Sequence, residues 1–354
     1  MLQLKKYGLD WTLNPVENPV PKDYTTKIAL TRFSRKDNSY FVYNHKGIVI
    51  NTLVRSELIA KGSYGRVFKC TSDDKVYAMK EIHFVEGSDS KLINVIKEVI
   101  IQIIISEETN TIDLPSHELI GPFVPNIYSI GYDPEEHTCY IQSEIMDDTF
   151  DNFLDTFPDL NSLSQKEKDT MIIISIIKIM KILGILQHKL KFNHRDFKMN
   201  NCMYKTTKYG LMDPVLIDFG LSCLNYKGLT INASQTRFKY CYVGTRDVTQ
   251  ILYSCARYNK EAMSSDLYNV FKALLTLKRR GKVCSLLDKQ CEVTNWKNTY
   301  RLVNTTDGEN PNAEVTVVIQ VLTAFLKEKP WNQHLLEQLN NNRNNKTKRN
   351  EKTT

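Results

Sequence analysis

The sequence predicts an α+β fold, with a small β-rich N-terminal part that contains one helix and a larger, helical C-terminal part. Segments rich in β-branched and aromatic residues, separated by turn residues, follow one another from residue 27 to residue 82. One long apolar segment of helical length comes next, at 91–106, and from residue 147 the patterns are mainly helical. A chain of 354 residues can form one large domain or two smaller ones.

Composition and charge exclude several classes of protein. Hydrophobic residues make up 42% and charged residues 25% of the chain, as in soluble globular proteins. The net charge of +7 is mild, and most of it lies in an Asn-, Lys- and Arg-rich tail, residues 339–354, which is predicted to be disordered. The body therefore lacks the basic bias that nucleic-acid binding usually requires, and we expect no nucleic acid as partner.

The chain shows no sign of export or membrane insertion. Its N-terminus lacks the apolar core of a signal peptide, and the most apolar run, Met171 to Leu186, is short and contains Lys178 and Lys181. The eight cysteines are dispersed without a C-x-x-C pair or zinc-like spacing. We therefore expect reduced, structural thiols in an intracellular, cytoplasmic protein without a membrane span.

Residues 1–50 precede any recognisable motif and are predicted to be an N-terminal extension of unknown role. Prolines at positions 15, 19 and 21 argue against regular structure at its beginning. The segments 27–33, 40–43 and 48–54 have extended patterns. They predict either a separate small sheet or a cover that packs on the domain that follows.

A glycine-containing turn joins the next two predicted strands. Gly62 and Gly65 allow the backbone to approach a phosphate closely, although most such pairs are plain hairpin turns. Shortly afterwards Lys80 lies inside an apolar strand, where it faces either solvent or an anion. Glu98 lies on the mostly apolar helix predicted over 91–106, and a carboxylate there is costly unless it is exposed or paired.

A predicted hairpin, 127–131 and 138–145, turns at Asp133-Pro134, and helices are predicted over 152–157 and 166–190. The second helix ends just before the stretch that carries the chemistry, His194-Arg195-Asp196-Phe197-Lys198-Met199-Asn200-Asn201. Short strands over 203–204 and 215–217 lead to Asp218-Phe219-Gly220. Phosphoryl transfer requires such a set, because it needs a base, oxygen ligands for Mg²⁺ and a cation.

These motifs read H-R-D-x-K-x-x-N followed by D-F-G, and the chain here resembles the protein kinase family of the serine/threonine type. The resemblance covers roughly residues 55–335 and implies a bilobal fold, with an N-lobe at 51–146 and a reduced, helical C-lobe at 147–338. It implies that Asp196 orients the attacking hydroxyl and that Lys198 neutralises charge on the transferred group. Asn201 and Asp218 would hold Mg²⁺ or Mn²⁺.

The resemblance also implies ATP as the cofactor. Lys80 would hold the α- and β-phosphates, Glu98 would pair with Lys80, and the hinge residues Glu144 and Met146 would meet the adenine. The glycine-rich loop over the phosphates would consist of Ala60, Lys61, Gly62, Ser63, Tyr64, Gly65 and Val67.

Several positions depart from the family pattern. Ala60 replaces the first loop glycine, and the expected A-P-E triplet is absent near 250–252, so that another carboxylate such as Glu261 would have to anchor this region. Residues 221–245 are either an activation segment or an ordinary surface loop. By resemblance, Asp266 would hold the backbone of the catalytic loop, and Arg195 would bind a phosphate placed in the activation segment, on Ser234 or Thr236.

The sequence therefore predicts a serine/threonine protein kinase that transfers the γ-phosphoryl group of ATP to protein hydroxyls. The alternatives are a pseudokinase that serves as an ATP-binding scaffold and a small-molecule phosphotransferase of kinase-like fold. Retention of Lys80, Asp196, Asn201 and Asp218 favours catalysis over the scaffold. The divergent features and the Ile-, Asn- and Lys-rich composition suggest a large DNA virus as the source, with the protein in the host cytoplasm or the virion.

Overall fold

The computed structural model describes residues 31–43, 46–62, 65–85, 89–110, 123–133, 135–151, 163–206, 212–233, 241–279, 282–288 and 314–327. This part of the chain divides into two compact units. The barrel unit contains the described residues up to Asn110 together with those of Val124–Met146 and Asp218–Cys241, and the helical unit contains the others. No described helix is both long enough and apolar enough to cross a membrane.

Seven strands of the barrel unit form a closed barrel in the order β1-β2-β3-β4-β5-β7-β6. Alternate residues along the strands point inward and form a buried core rich in aromatic rings, including Phe33, Tyr40, Phe68 and Tyr140. The strands are β1 (Thr31–Lys36), β2 (Ser39–Tyr43), β3 (Val49–Gly62), β4 (Gly65–Ser72), β5 (Lys75–His83), β6 (Ile127–Asp133) and β7 (Thr138–Glu144).

The N-terminal extension contributes two strands to this barrel. β2 pairs with β3, and β1 closes the barrel by pairing in parallel with β6, where Thr31 faces Gly131. A Cβ at Gly131 would collide with the Phe33 ring, so the closure requires glycine at this position. The sequence left open a separate sheet or a cover. The structure shows neither, because β1 and β2 complete one sheet and remove its open edges.

Helix α1 (Asp89–Asn110) contains the helix predicted over 91–106 and packs on the barrel unit with a face of buried isoleucines. It is followed in the same unit by the hairpin of β11 (Cys223–Tyr226) and β12 (Leu229–Asn232). A disulfide joins Cys223 to Cys241. The expectation of reduced thiols is therefore wrong for these two residues, whereas Cys70, Cys139, Cys202 and Cys255 are free and buried.

The helical unit is built around α2 (Gln165–Leu190), which matches the helix predicted over 166–190. A capping box explains its beginning, because the Ser164 side chain accepts from Glu167 N while the Glu167 carboxylate accepts from Ser164 N. Gly184 in its middle allows close packing against Val315. The other elements are β8 (Asp148–Thr149), β9 (Cys202–Thr206), β10 (Met212–Leu216), α3 (Arg246–Tyr258), α4 (Ser265–Leu274), β13 (Thr276–Arg279), β14 (Lys282–Ser285) and α5 (Val315–Lys327).

One expectation for the helical unit changes. Where the sequence predicted a helical C-lobe, the described chain also contains the β13–β14 hairpin before α5. The predicted helix over 152–157 lies outside the described residues. The strands predicted around 203–204 and 215–217 are present as β9 and β10, and with β8 they form a three-stranded sheet.

Candidate active site

The turn between β3 and β4 carries the predicted glycine-rich loop. A Cβ at Gly65 would collide with the carbonyl oxygen of Glu81, and the residue has φ 152°, so only glycine fits there. A Cβ at Gly62 would meet open space. Ala60 and Lys61 lie exposed on β3, and Ala60 pairs with Val67 across the hairpin. Ser63 and Tyr64, at the tip, lie outside the described residues.

Lys80 on β5 forms an ion pair with Glu98 on α1. The Lys80 Nζ atom donates to Glu98 Oε1 at 2.7 Å, and the side chains are 23% and 11% exposed. The backbone of Lys80 faces Val67 of the predicted loop in the β4–β5 register. The apolar helix therefore tolerates its carboxylate because Lys80 partners it, as the resemblance implied.

Asp218 joins this pair within the barrel unit. Burial alone would lower the pKa of Lys80, but the charges of Glu98 and Asp218 outweigh that effect and raise the pKa, so the lysine stays protonated. A Cβ at Gly220 would lie 3.3 Å from Glu98 Oε2 and 3.6 Å from Asp218 Oδ1, which places both carboxylates beside this glycine. Asp218 has φ 63°, an uncommon conformation for a residue other than glycine.

The predicted hinge lies at the end of β7. Glu144 donates from its backbone N–H to Asn126 O at 2.8 Å, and its carboxylate accepts from Asn126 Nδ2 at 3.1 Å. Met146, two residues later, is buried. Asn126, which the sequence gave no reason to single out, therefore bonds both the backbone and the side chain of Glu144.

In the helical unit, two predicted catalytic residues, Lys198 and Asn201, converge on one carboxylate oxygen of the third, Asp196. Lys198 Nζ donates to Asp196 Oδ2 at 3.0 Å, and Asn201 Nδ2 approaches the same oxygen at 3.3 Å. Asn201 Nδ2 also donates to the backbone oxygen of Asp196 at 2.8 Å. Within the described part of the chain, no group donates to Asp196 Oδ1. The loop therefore holds one carboxylate oxygen and presents the other.

His194 has a structural position. Its ring is buried, stacks on Phe197 with centroids 5.3 Å apart, and lies with Nε2 at 2.8 Å from the carbonyl oxygen of Ile217. Because a carbonyl only accepts, Nε2 must carry the proton and donate. The ring thus ties the catalytic loop to the residue before Asp218, and its Nε2 proton is used in this contact.

The backbone of the catalytic loop is held by a buried aspartate at the beginning of α3. Asp247 Oδ2 accepts from Asn193 Nδ2 at 2.9 Å and from His194 N at 2.7 Å, and Oδ1 accepts from Arg195 N at 2.8 Å. The prediction that Asp266 plays this part is wrong, because Asp266 lies exposed at the beginning of α4.

Two further residues of α3 continue these contacts. Gln250 donates to Arg195 O at 3.0 Å and accepts from Phe197 N at 2.9 Å, and Ser254 Oγ accepts from Met199 N at 2.9 Å. With Asp247 they recur at intervals of three and four residues, so they share one face of the helix. The signal that could have found them is a run of polar residues at helical spacing on an otherwise apolar segment.

The position expected for A-P-E is occupied by this buried helix. Gln250, Ile251 and Leu252 are all fully buried in α3, whereas Glu261, the candidate replacement anchor, is exposed. Upstream of the helix, Gly244 O accepts from Gln187 Nε2 at 2.9 Å, and the Tyr242 ring lies under Lys191. The segment that leads into α3 is therefore held by α2 and by Lys191, the residue that follows it.

Arg195 lies in the backbone region that favours glycine, with φ 69°, and its side chain is fully buried. Asp247 and Gln250 bond its N–H and its carbonyl, so α3 stabilises this uncommon conformation. Ser234 and Thr236, the residues proposed to carry a phosphate for Arg195, lie outside the described residues.

The sequence model of the family described as "Protein kinase domain" matches residues 53–246, more than half of the chain. The chain belongs to the protein kinase family. This membership confirms the fold class, a kinase fold with a β-rich N-terminal region and helices in the C-terminal region. It also supports phosphotransfer to proteins as the general activity of this kinase domain.

Solved kinases of similar structure are distant in sequence. One described as "Structure of vaccinia related kinase 3" has a TM-score of 0.47 and 11% identity, covering 83% of this chain and 92% of that one. One described as "Crystal structure of BubR1 kinase domain" has a TM-score of 0.44 and 15% identity, covering 89% and 88%. No curated protein sequence matches the chain.

Each unit, taken by itself, offers an oxygen of the kind that Mg²⁺ takes when it is bound with a nucleotide. The described residues contain no cluster of three or more His, Cys, Asp or Glu side chains suited to a metal held by protein alone. Asn201 uses its Nδ2 on Asp196, which turns its Oδ1 away as an oxygen donor, and Asp218 offers a carboxylate. Mg²⁺ commonly takes one or two such protein oxygens and completes its shell with phosphate oxygens and water.

Proposed function

We propose that this kinase-family protein is an active serine/threonine protein kinase. The observation that supports the proposal most is the convergence of Lys198 and Asn201 on Asp196 Oδ2, at 3.0 and 3.3 Å. A loop that is not catalytic does not require a carboxylate, an ammonium and a carboxamide to be held in contact with one another. Catalysis by positioning requires it.

Asp196 orients the substrate hydroxyl and accepts its proton through Oδ1. Lys198, held against Oδ2, offsets the negative charge that develops on the transferred group. Asn201 and Asp218 are proposed as the Mg²⁺ ligands. When bound, Mg²⁺–ATP supplies the activated phosphoryl group, and the protein supplies orientation and charge.

In the barrel unit, Lys80 binds the α- and β-phosphates, and Glu98 keeps the ammonium in place at 2.7 Å. Gly62 and Gly65 leave the β3–β4 turn without side chains at two positions, so its backbone can lie over phosphates. Ala60, Lys61, Ser63, Tyr64 and Val67 complete this loop, and Glu144 and Met146 are proposed to meet the adenine. Ala60 in place of glycine weakens nucleotide binding somewhat.

Specificity for serine and threonine rests on Lys198, two residues after Asp196, because tyrosine kinases usually differ at this position. The rivals are the pseudokinase scaffold and the small-molecule phosphotransferase. The paired Lys80 and Glu98 and the held Asp196 favour catalysis over the scaffold. An origin in a large DNA virus, and a place in the host cytoplasm or virion, stay predictions.

The test is transfer of label from [γ-³²P]ATP to casein, myelin basic protein and the protein itself, followed by phosphoamino-acid analysis. We expect phosphoserine and phosphothreonine, and loss of transfer in Lys80→Ala and Asp196→Ala. Wild-type protein that binds Mg²⁺–ATP without any transfer would establish the scaffold. Label in phosphotyrosine alone would overturn the proposed specificity for serine and threonine. Transfer to sugars or choline but not to protein would favour the small-molecule phosphotransferase.

A further inference from the structure

One end of the barrel carries a cluster of arginines that the kinase reaction does not use. Arg35, Arg55 and Arg66 come from β1, β3 and β4, and all three point at the carboxylate of Glu81 on β5. The three arginines and Glu81 each lie two residues along their strand from a core residue of the barrel. Their four side chains therefore form the layer next to the aromatic core. We call this set the arginine cluster.

Glu81 is fully buried and already has hydrogen-bond partners on both oxygens. Tyr40 Oη donates to Oε1 at 2.7 Å, and Arg66 Nη2 donates to Oε2 at 3.1 Å. Arg35 Nη1 and Arg55 Nη1 lie 3.6 and 3.7 Å from Oε1, beyond hydrogen-bond distance. Tyr40 and Arg66 therefore satisfy the carboxylate, and its charge orients Arg35 and Arg55.

The cluster has an excess of positive charge. Three guanidinium groups face one carboxylate, which leaves two positive charges in a small volume. Of the acids around the β6–β7 turn, Asp133 and Glu135 are engaged elsewhere, and Glu136 acts on the Tyr140 hydroxyl together with Glu81 and Arg35. Asp133 accepts from the backbone N–H groups of the β6–β7 turn, and Glu135 pairs with Arg32 at 3.6 Å. His83 lies beside Arg66 and adds no negative charge.

The arginines are both held and accessible. The planes of Arg55 and Arg66 lie near the Phe68 ring, at 4.5 and 5.6 Å from its centroid, and Arg55 also donates to Asn38 Oδ1. The side chains of Arg35, Arg55 and Arg66 remain 28%, 21% and 38% exposed. The mouths of β-barrels are common ligand sites because the strands bring side chains together around an opening.

We propose that the arginine cluster binds a phosphate monoester, and that the N-terminal extension exists in part to build this site. A phosphate monoester carries about −1.5 to −2 charges at neutral pH and several acceptor oxygens, which match the excess charge and the forked donors of arginine. A carboxylate is a poorer match, since Glu81 already supplies one. Arg35 comes from a strand of the extension, so closure of the barrel and completion of the site are the same event.

The favoured ligand is a phosphorylated serine or threonine in a protein segment, and inorganic phosphate shares its chemistry. The test is fluorescence anisotropy with a labelled phosphoserine peptide flanked by glycine and alanine, with the unphosphorylated peptide as control and without ATP. Its result does not depend on whether the protein transfers phosphate. Unlabelled inorganic phosphate is added as competitor. If the phosphopeptide binds much more tightly than inorganic phosphate, the ligand is a phosphorylated segment. If the two bind equally tightly, the ligand is free phosphate.

We expect Arg35→Gln and Arg55→Gln each to weaken binding about tenfold, because each removes a charge-assisted contact. Arg32→Gln, an exposed arginine on the same strand as Arg35, serves as the matched control and should change binding less than twofold. Glu81→Gln removes a competing negative charge and should tighten binding roughly tenfold, a gain that a purely structural cluster would not produce. Circular dichroism and thermal unfolding verify that each variant is folded, and if Glu81→Gln does not fold, the two arginine variants decide.

Several outcomes would overturn the proposal. One is the absence of any phosphopeptide or phosphate binding by the wild-type protein. Another is equal binding of the unphosphorylated peptide, and a third is binding that Arg35→Gln and Arg55→Gln leave unchanged. Binding of an RNA oligonucleotide, but not of the phosphopeptide, through the same arginines would also replace it. Phosphate bound at the nucleotide site would be recognised by its insensitivity to both arginine variants.

Discussion

Asp247 at the beginning of α3 offers the sharpest perturbation of the catalytic loop. Asp247→Asn keeps the shape of the side chain but replaces one acceptor oxygen by a donor NH₂ group. In its better orientation, the amide oxygen keeps the bonds from Asn193 and His194, while the NH₂ group faces the N–H of Arg195. One charge-assisted bond is then lost and the other two fall to neutral strength, for a total cost of about 3–5 kcal/mol.

The backbone around Arg195 should shift as a result, and Asp196 with it. A displacement of about 1 Å in a catalytic group can cost on the order of 10²-fold in rate, so we expect kcat to fall by about that factor while the KM for ATP changes little. Urea unfolding measures the loss of stability, and labelled-ATP transfer measures the change in kcat and KM. Asp266→Asn is the matched control, because Asp266 also lies in the first turn of a helix but is exposed, and its cost should stay within about 0.5 kcal/mol. An inactive Asp266→Asn beside an active, stable Asp247→Asn would refute the reasoning.

Three further changes test other parts of the structure. Gly131→Ala should destabilise the barrel by about 1–3 kcal/mol in urea unfolding, because its Cβ has no room, and unchanged stability would contradict the described closure. Reduction of the Cys223–Cys241 disulfide, or Cys241→Ser, should lower the free energy of unfolding by about 3 kcal/mol, because the bond closes a loop with a sequence separation of 18. Two free thiols in peptide mapping of untreated protein would exclude the bond. Lys80→Met should remove the ion pair with Glu98. Because the pKa of Lys80 is raised, the difference in unfolding free energy from wild type should be constant from pH 6 to 9 and decline only above about pH 10.4. A decline near neutral pH would argue against the pair.

The chemistry was readable from the sequence because it is local. Asp196, Lys198 and Asn201 lie within one turn-rich stretch, where their spacing alone brings them to one carboxylate oxygen. The Lys80–Glu98 pair was predictable for a different reason, since a carboxylate on an apolar helix needs a partner and the family pattern supplies one. Helix α2 was clear from its length and its strong cap.

The support of the catalytic loop could not be assigned from the sequence. Asp247 and Asp266 both lie in the first turn of a helix, so their local patterns are equivalent. What separates them is burial, since Asp247 is fully buried under the loop and Asp266 is exposed. Burial of this kind depends on which helix packs there, and only the tertiary structure decides that.

Closure of the barrel and the disulfide are long-range features of the same kind. β1 pairs with β6 across about a hundred positions of chain, and the requirement for glycine at position 131 is visible only when the Phe33 ring is in place. Eight cysteines allow many pairings, and spacing gave no reason to join Cys223 to Cys241. The extension therefore seemed to have no role until the strands it contributes were known.

The central claim is that Asp196 makes this kinase fold catalytic, and one measurement on Asp196→Asn tests it most directly. Mg²⁺–ATP affinity and the rate of phosphoryl transfer are determined on the same preparation of the variant and of the wild type. The account predicts nearly unchanged affinity and a transfer rate lower by about 10²–10⁴-fold, because the positioned base is lost while the nucleotide contacts remain. Transfer at the wild-type rate in Asp196→Asn would contradict it.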